Sequence, residues 1–286
     1  MPSSSILELL QQHGKQLQET LGLDAGSARI EIQCLLQAVL QVDRACLLTH
    51  PEQSLNEDQR SRYSALLERR LRGEPIAYLL SSREFYGLNL KVTPATLIPR
   101  PETELLVELA LQRIPQSGRF QVLDLGTGSG AIALSIAHSR PDTEVVAVDA
   151  SNDALDVARE NAVRLAIANA LFLLSDWFSA LNGKRFDLIV ANPPYIATGD
   201  THLSQGDLRF EPNTALISGE DGLYDIRHIV SQAKAYLNPG GWLMFEHGYD
   251  QAEQVRELLN QAEFSLVFSA RDLSGIDRVS GGTREV

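Results

Sequence analysis

The chain contains little cysteine, which limits the kinds of site it can hold. Its 286 residues include two cysteines, Cys34 and Cys46, which make neither a disulfide framework nor a metal site. The six histidines are scattered and include no pair at a ligand spacing such as H-x3-H. We therefore expect no bound metal.

Long hydrophobic runs are also absent. No basic amino-terminal region precedes an apolar segment, and no apolar run reaches the roughly 20 residues that span a bilayer. We therefore expect a cytoplasmic protein without a membrane partner.

Positive charge is scarce as well, since 25 Lys and Arg residues stand against 37 Asp and Glu residues, for a formal net charge of −12. Because phosphate neutralisation dominates the binding of long duplexes, we expect no stable nucleic-acid binding. One predicted helix still carries a basic cluster, which is either a solvated face or a recognition surface. Its members are Arg60, Arg62, Arg69, Arg70 and Arg72.

The first quarter of the chain has the apolar spacing of amphipathic helices, which predicts an all-helical domain over residues 1–73. Ser27 is expected to open one of these helices, and Asn56 with Gln59 forms a capping box at another. In residues 74–98, alternation around a glycine predicts a β-hairpin, which we interpret as a linker.

Residues 99–286 are predicted to form a second domain. From Phe120 onward, short apolar strands alternate with amphipathic helices, and this order predicts parallel βαβ units. The fold class is therefore α/β, with a Rossmann-like domain and a mostly parallel sheet that follows the small helical domain.

A glycine-rich turn joins the first strand of this series to a helix. It contains Gly126, Thr127, Gly128, Ser129 and Gly130, and its glycines permit a tight turn and a close approach of a ligand to the backbone. The turn also fits the relaxed dinucleotide pattern, so it does not by itself specify the ligand.

Acidic and aromatic residues follow the next two strands. Asp149 is placed to accept hydrogen bonds from two ribose hydroxyls, although a helix cap before Asn152 is the alternative. Asp176 could accept from an adenine amine and Trp177 could pack beside the ring, or the indole could be a core residue. Together these positions indicate an adenosine ligand.

The apolar strand Phe186–Ala191 ends in Asn192, Pro193, Pro194 and Tyr195. Prolines cannot donate ladder hydrogen bonds, so strand pairing should end at Asn192. Each proline also fixes its own φ and biases the preceding residue, which holds the Asn192 side chain and nearby carbonyls with little freedom. The turn therefore predicts a docking place for a group that needs two acceptors.

These residues resemble those of the class I S-adenosylmethionine-dependent methyltransferases, and more closely those of the release factor glutamine methyltransferases (HemK/PrmC type). The resemblance covers roughly Gly73 to Asp250. It is carried by Gly73-Glu-Pro-Ile-Ala-Tyr78, Arg83-Glu-Phe-Tyr-Gly87, Leu97-Ile-Pro-Arg-Pro-Glu-Thr-Glu104, Asp124 to Gly130, Asn192 to Tyr195, Glu211-Pro212, Ala215-Leu216 and Asp221-Gly-Leu223.

The resemblance implies that a methyl group passes from S-adenosylmethionine to the glutamine amide nitrogen in the Gly-Gly-Gln motif of class I peptide chain release factors. It implies Asn192, Pro193 and Tyr195 as catalytic residues and Asn192 to Tyr195 as the substrate site. The cofactor set is Gly126, Thr127, Gly128, Ser129, Gly130, Asp149, Asp176, Trp177, Asn192 and Arg100. Arg100 could instead bond helix-end carbonyls, and Glu246 is left out of the catalytic set as a strand-end acid.

Alternatives remain at this point. The Asn192 turn also suits an amino-methyltransferase acting on a nucleic-acid base or on a ribosomal protein glutamine. The glycine turn also suits a nicotinamide-dependent dehydrogenase, and a non-catalytic S-adenosylmethionine-binding module is a further possibility. The carboxyl-terminal residues 277–286 are less apolar than the edge strand that closes the family's sheet, so their place in a last strand is left open.

Overall fold

The computed structural model describes residues 4–285, which form two compact units. The helical unit contains the chain through Ser82 together with Ser204–Phe210. The sheet unit contains Arg83–Leu203 and the chain from Glu211 onward.

The described residues of the helical unit form five α-helices around a largely aliphatic core. They are α1 (Ile6–Leu21), α2 (Ala25–Leu40), α3 (Arg44–Thr49), α4 (Glu57–Leu71) and α5 (Ile76–Leu80). The capping box at α4 is confirmed, because the Asn56 side chain accepts from the Gln59 amide and the Gln59 side chain accepts in return. The predicted start of α2 at Ser27 is wrong. Asp24 caps this helix by accepting from the amides of Gly26 and Ser27.

The arginine cluster of α4 is paired within the helical unit. Arg70 is only 4% exposed and donates to Glu31 at 2.7 and 3.1 Å, and it also pairs with Asp207. Arg70 therefore belongs neither to a solvated face nor to an accessible recognition surface, and both interpretations were wrong for this residue. The exposed arginines also have partners. Arg60 donates to the Leu55 carbonyl, and ion pairs join Arg62 to Asp58, Arg69 to Glu74 and Arg72 to Glu68.

The sheet unit alternates strands and helices after a short hairpin. Its strands are β1 (Arg83–Phe85), β2 (Leu88–Leu90), β3 (Phe120–Leu125), β4 (Thr143–Asp149), β5 (Ala170–Leu174), β6 (Phe186–Ala191), β7 (Leu237–Glu246), β8 (Ser265–Arg271) and β9 (Asp277–Thr283). Its helices are α6 (Glu104–Arg113), α7 (Ala131–Ser139), α8 (Asn152–Arg164), α9 (Tyr224–Tyr236) and α10 (Ala252–Gln261). Among the described helices of both units, none is long and apolar enough to cross a bilayer.

Seven strands form one sheet in the order β5-β4-β3-β6-β7-β9-β8. The pairs among β5, β4, β3, β6 and β7 are parallel, whereas β9 is antiparallel to both of its neighbours. Separate apolar cores cover the two faces, because Val122 lies in one and Leu123 in the other. The α/β class with a mostly parallel sheet is therefore confirmed. Since β3, β4 and β6 are adjacent and parallel, the turns that follow them lie at one edge of the sheet.

The predicted hairpin is present as the antiparallel pair β1 and β2, with Gly87 at φ 77° in its turn. Phe85, Leu88 and Leu90 are buried in the core of the sheet unit, so the hairpin is packed rather than free. The boundary between the two units falls inside the expected linker over residues 74–98. Helix α5 groups with the helical unit, and the hairpin groups with the sheet unit. A helix as short as α5 leaves little periodic signal in the sequence.

The carboxyl-terminal residues form β9, which lies between β7 and β8 and is not an edge strand. A Cβ on Gly281 would lie 2.5 Å from the Leu243 carbonyl oxygen, so neighbouring backbone approaches this strand closely. Glycine is needed there for packing, which explains why the segment is less apolar than an expected edge strand.

Candidate active site

The glycine turn follows β3 with three residues at positive φ. Gly126, Gly128 and Gly130 have φ of 71°, 55° and 85°, a region that side chains rarely adopt. A Cβ on Gly128 would meet nothing within 4 Å, whereas one on Gly130 would lie 2.9 Å from Leu134. Gly130 therefore allows the turn to pack on α7, and the absence of a side chain at Gly128 leaves open space beside the turn.

A buried carboxyl supports this turn from below. Asp124 is fully buried, and its Oδ2 accepts from the Thr127 hydroxyl at 2.7 Å and the Ala133 amide at 3.2 Å. Within residues 4–285 its Oδ1 has no hydrogen-bond partner. Burial raises the pKa of Asp124 to about 7, the two hydrogen bonds oppose the shift, and the charge of Asp149 adds to it. The Thr127 hydroxyl is thus committed to the turn itself, as is its backbone, because its amide donates to the Val148 carbonyl and its carbonyl accepts from the Gly130 amide.

Asp149 ends β4 beside the glycine turn. Its carboxylate accepts from the amides of Gly128 and Ser151, each at 2.9 Å. Burial raises the pKa of this carboxyl, and hydrogen bonds from Ser151 and Gly128 lower it. The Asp149 side chain therefore orders the turn, while Ser151, rather than Asp149, caps α8.

The residues after β5 complete this part of the site. Asp176 is exposed, and Trp177 is half-buried with φ 46°. The Trp177 ring passes 3.7 Å from the position of a Cβ on Gly126, so it borders the glycine turn. Carboxylate acceptors, an aromatic surface and the open space beside Gly128 suit the hydroxyls, amine and ring of an adenosine-bearing cofactor.

The turn after β6 is fixed by contacts from distant segments. The Asn192 Nδ2 donates to the Thr103 hydroxyl at 3.3 Å, and the Thr103 hydroxyl donates to Glu246 Oε2 at 2.6 Å. The Tyr195 hydroxyl donates to Glu246 Oε1 at 3.1 Å. Thus one carboxyl at the end of β7 is connected to both ends of the Asn192 to Tyr195 turn.

Glu246 is 2% exposed, and burial raises the pKa of its carboxyl. Hydrogen bonds from Thr103 and Tyr195 and the charge of Arg278 oppose this shift, whereas Glu102 adds to it. Burial and the neighbouring carboxyl raise the pKa of the Tyr195 phenol. Tyr195 therefore stays protonated and acts as a donor.

Backbone contacts hold the same turn on its other side. The buried Gln251 side chain donates to the Tyr195 carbonyl at 3.1 Å and accepts from the Gly248 amide at 2.8 Å. A Cβ on Gly222 would lie 2.2 Å from the Tyr195 carbonyl oxygen, so Gly222 permits a close approach of two backbone segments.

Family models match most of the chain. Residues 102–209 match the Methyltransferase small domain, and residues 8–80 match the PrmC N-terminal domain. A release factor glutamine methyltransferase of Burkholderia pseudomallei is 54% identical over 266 residues, which cover 91% of this chain and 92% of that protein. Another, from Xylella fastidiosa, is 51% identical over 254 residues, or 89% and 92% of the two chains. The chain belongs to the release factor glutamine methyltransferase family.

A solved methyltransferase structure from Pyrococcus furiosus is 18% identical, with a TM-score of 0.54, and covers 78% of this chain and 100% of that one. This likeness shows the shared fold. Membership of the methyltransferase family confirms the expected enzyme class and its dependence on S-adenosylmethionine. It removes the dehydrogenase interpretation of the glycine turn.

Arg100 of this methyltransferase forms an ion pair. Its guanidinium pairs with the buried carboxyl of Glu211, which also accepts from the Ile98 amide at 2.9 Å. Arg100 ties the start of the Pro101 turn to the Glu211-Pro212 segment, and its cofactor role stays a prediction.

Sequence reasoning missed several residues that shape the methyltransferase site. These residues are Thr103, Gln251 and Asn161. Glu246 was considered as a strand-end acid and left out of the catalytic set. Asn161 of α8 donates to the carbonyls of Ser129 and Lys91, each at 2.9 Å, and so fixes the glycine turn to the chain after the hairpin. A polar residue at an inward position of an amphipathic helix was the available signal for Asn161.

Proposed function

We propose that this enzyme methylates the side-chain amide nitrogen of the glutamine in the Gly-Gly-Gln motif of class I peptide chain release factors. The observation that carries the proposal is the orientation of Asn192. Its Nδ2 donates to the Thr103 hydroxyl, which leaves Oδ1 as the acceptor that this side chain can offer. The names of relatives at 51% and 54% identity support the choice of substrate.

A glutamine amide needs help to react, because its nitrogen lone pair is delocalised into the carbonyl. In the proposed complex, Asn192 Oδ1 and the Pro193 carbonyl each accept one amide hydrogen. These two bonds reduce the delocalisation and direct the lone pair at the methyl donor. Tyr195 packs against the amide plane, and its phenol is anchored by Glu246.

S-adenosylmethionine, when bound, supplies a methyl group on a sulfonium that departs as a neutral thioether. The amide nitrogen forms the new N–C bond as the C–S bond breaks, and its extra proton leaves late, to Asn192 or to water. Positioning dominates such a displacement and contributes up to about 7–11 kcal/mol in well-oriented cases. No strong general base is required.

Residues of the glycine turn and the neighbouring strand ends are proposed to hold the cofactor. Asp149 accepts from the ribose hydroxyls, Asp176 accepts from the adenine amine, and Trp177 packs beside the ring. The turn from Gly126 to Gly130, including Thr127, Gly128 and Ser129, lets the cofactor approach closely, because no side chain fills the space beside Gly128. Asn192 and Arg100 complete the proposed set.

The partner is proposed to be a class I release factor, with no stable binding of nucleic acid, which the net charge of −12 supports. The helical unit is proposed to recognise this protein, although Arg70 cannot take part because it is buried. Since release factors act in translation, the proposed location is the cytoplasm.

Incubation with labelled S-adenosylmethionine and a purified release factor tests the proposal. Mass spectrometry is expected to place one methyl group on the glutamine of the Gly-Gly-Gln peptide, and a release factor with asparagine at that position serves as a control. Label transferred instead to ribosomal protein or to nucleic acid would support the competing amino-methyltransferases and overturn the proposal.

A further inference from the structure

The carboxyl of Glu246 determines in which direction the Thr103 and Tyr195 hydroxyls donate their protons. It is 2% exposed, and its two oxygens accept from different hydroxyls, Thr103 at 2.6 Å and Tyr195 at 3.1 Å. A carboxylate can only accept, and each hydroxyl has one proton to donate. Both hydroxyl protons are therefore committed to Glu246.

The consequence for Thr103 is that its oxygen has only lone pairs left to offer. It faces the Asn192 side chain at 3.3 Å. The oxygen and nitrogen ends of an asparagine amide have nearly the same shape, so shape alone does not choose between them. Contact with an oxygen that can only accept favours the nitrogen end, because the opposite orientation would bring two acceptors together.

We propose that Glu246, acting through Thr103, is a positioning residue that turns the oxygen of the Asn192 amide toward the substrate. This inference rests on the proposed function, which needs an acceptor at that point. The Glu246, Thr103 and Asn192 side chains form the orienting relay. The relay gives Thr103, within the Ile98 to Glu104 segment, a part in the chemistry.

The relay acts on orientation and does not remove a proton from the substrate. Both oxygens of Glu246 are already bonded to hydroxyls, and Thr103 stands between Glu246 and Asn192. Burial raises the pKa of Glu246, and the hydrogen bonds from Thr103 and Tyr195 oppose part of this shift.

Glu246→Gln tests the direction of the bonds with little change of shape. A glutamine amide accepts with one end and donates with the other, so Thr103 or Tyr195 must turn its hydroxyl away. We expect kcat to fall about 10- to 100-fold, the loss typical of disturbing an orienting contact. The KM for the release factor and the affinity for S-adenosylhomocysteine should stay within about twofold, because Oδ1 orientation affects the transition state most.

Two variants of Thr103 separate orientation from packing. Thr103→Val keeps the shape and loses the hydroxyl, so its kcat should fall as far as that of Glu246→Gln. Thr103→Ser keeps the hydroxyl and should recover most of the turnover. The double variant Thr103→Val with Glu246→Gln should lose no more than either single variant, since both break the same relay.

A readout without turnover uses protein in which asparagine alone carries nitrogen-15. The Asn192 side-chain signal, identified by its disappearance in Asn192→Ala, should exchange slowly with solvent in the wild type and in Thr103→Ser. It should exchange faster in Thr103→Val and Glu246→Gln. Thermal unfolding confirms that each variant is folded.

Full turnover in Glu246→Gln and Thr103→Val would overturn the relay. So would a Thr103→Ser variant as impaired as Thr103→Val, since packing would then explain both. Failure of the wild type to methylate a release factor would overturn the proposed function instead. In that case unchanged exchange of the Asn192 signal in Thr103→Val would overturn the relay independently.

Discussion

The glycine turn after β3 and the Asn192 turn after β6 lie at the same edge of the sheet. Each turn is held by hydrogen bonds to a buried carboxyl. Asp124 accepts from Thr127 and Ala133, which are three and nine residues away. Glu246 accepts from Thr103 and Tyr195, which are 143 and 51 residues away. The first turn is a local structure, and the second is assembled from distant segments.

The two turns are proposed to bind through different features. Glycines at positive φ keep the first turn free of side chains at three positions, and its supporting hydroxyl from Thr127 faces inward. The second turn presents a side-chain oxygen whose direction depends on its neighbours. Changes around the first turn should therefore act on cofactor affinity, and changes around the second should act on turnover.

Removing the amide of Asn192 should have the largest effect on turnover. A small effect would contradict the assignment of turnover to the second turn. Asn192→Ala deletes one of the two proposed acceptors, so kcat should fall about 1000-fold, as for loss of an oriented transition-state contact. The affinity for S-adenosylhomocysteine, measured by calorimetry, should change only a few-fold. Turnover equal to the wild type would exclude the proposed role.

Asp149→Ala should show the opposite pattern, with weakened cofactor affinity. Loss of two charge-assisted hydrogen bonds to a ribose predicts a rise of about 10- to 100-fold in the Kd for S-adenosylmethionine. Turnover at saturating cofactor should be nearly retained. The exposed Asp153 provides a control, since Asp153→Ala removes a nearby acid in the first turn of α8 that has no hydrogen bond to the glycine turn among the described residues. Equal affinity in the two variants would count against the ribose assignment.

The same contrast explains what could be predicted from the sequence. The glycine turn and the parallel sheet were predictable because their signals lie within a few neighbouring residues. Thr103, Glu246 and Gln251 could not be assigned, because the partners they hold lie 89, 51 and 56 residues away along the chain. The inward position of Arg70 and the interior place of β9 also depend on packing between segments far apart in sequence.

The buried carboxyl under the glycine turn should make stability depend on pH. Burial raises the folded-state pKa of Asp124 to about 7 from 3.8. Between these values the folded state binds more protons than the unfolded state, so stability falls as pH rises through this window. Asp124→Asn removes the titration. We expect the wild-type Tm, measured relative to the variant, to fall between about pH 4 and pH 7, by about 2–4 °C for each kcal/mol.

A parallel pH dependence of the two Tm values would show that Asp124 titrates near its ordinary range. Burial of the Asp124 carboxyl would then not make the stability of the glycine turn depend on pH. Asp142→Asn serves as the control, since this exposed acid lies in the same unit and should leave the pH dependence unchanged.

The smallest effect is expected where a single neutral hydrogen bond supports the Asn192 turn. Gln251 donates to the Tyr195 carbonyl at 3.1 Å, and a neutral bond of this kind contributes about 1 kcal/mol. Gln251→Ala should therefore lower kcat about fivefold, with unchanged affinity for S-adenosylhomocysteine. Gln254→Ala, an exposed residue on the same helix, should leave kcat unchanged. If both variants kept full turnover, the orienting relay alone would position the turn. The hydrogen bond from Gln251 to the Tyr195 carbonyl would then be dispensable.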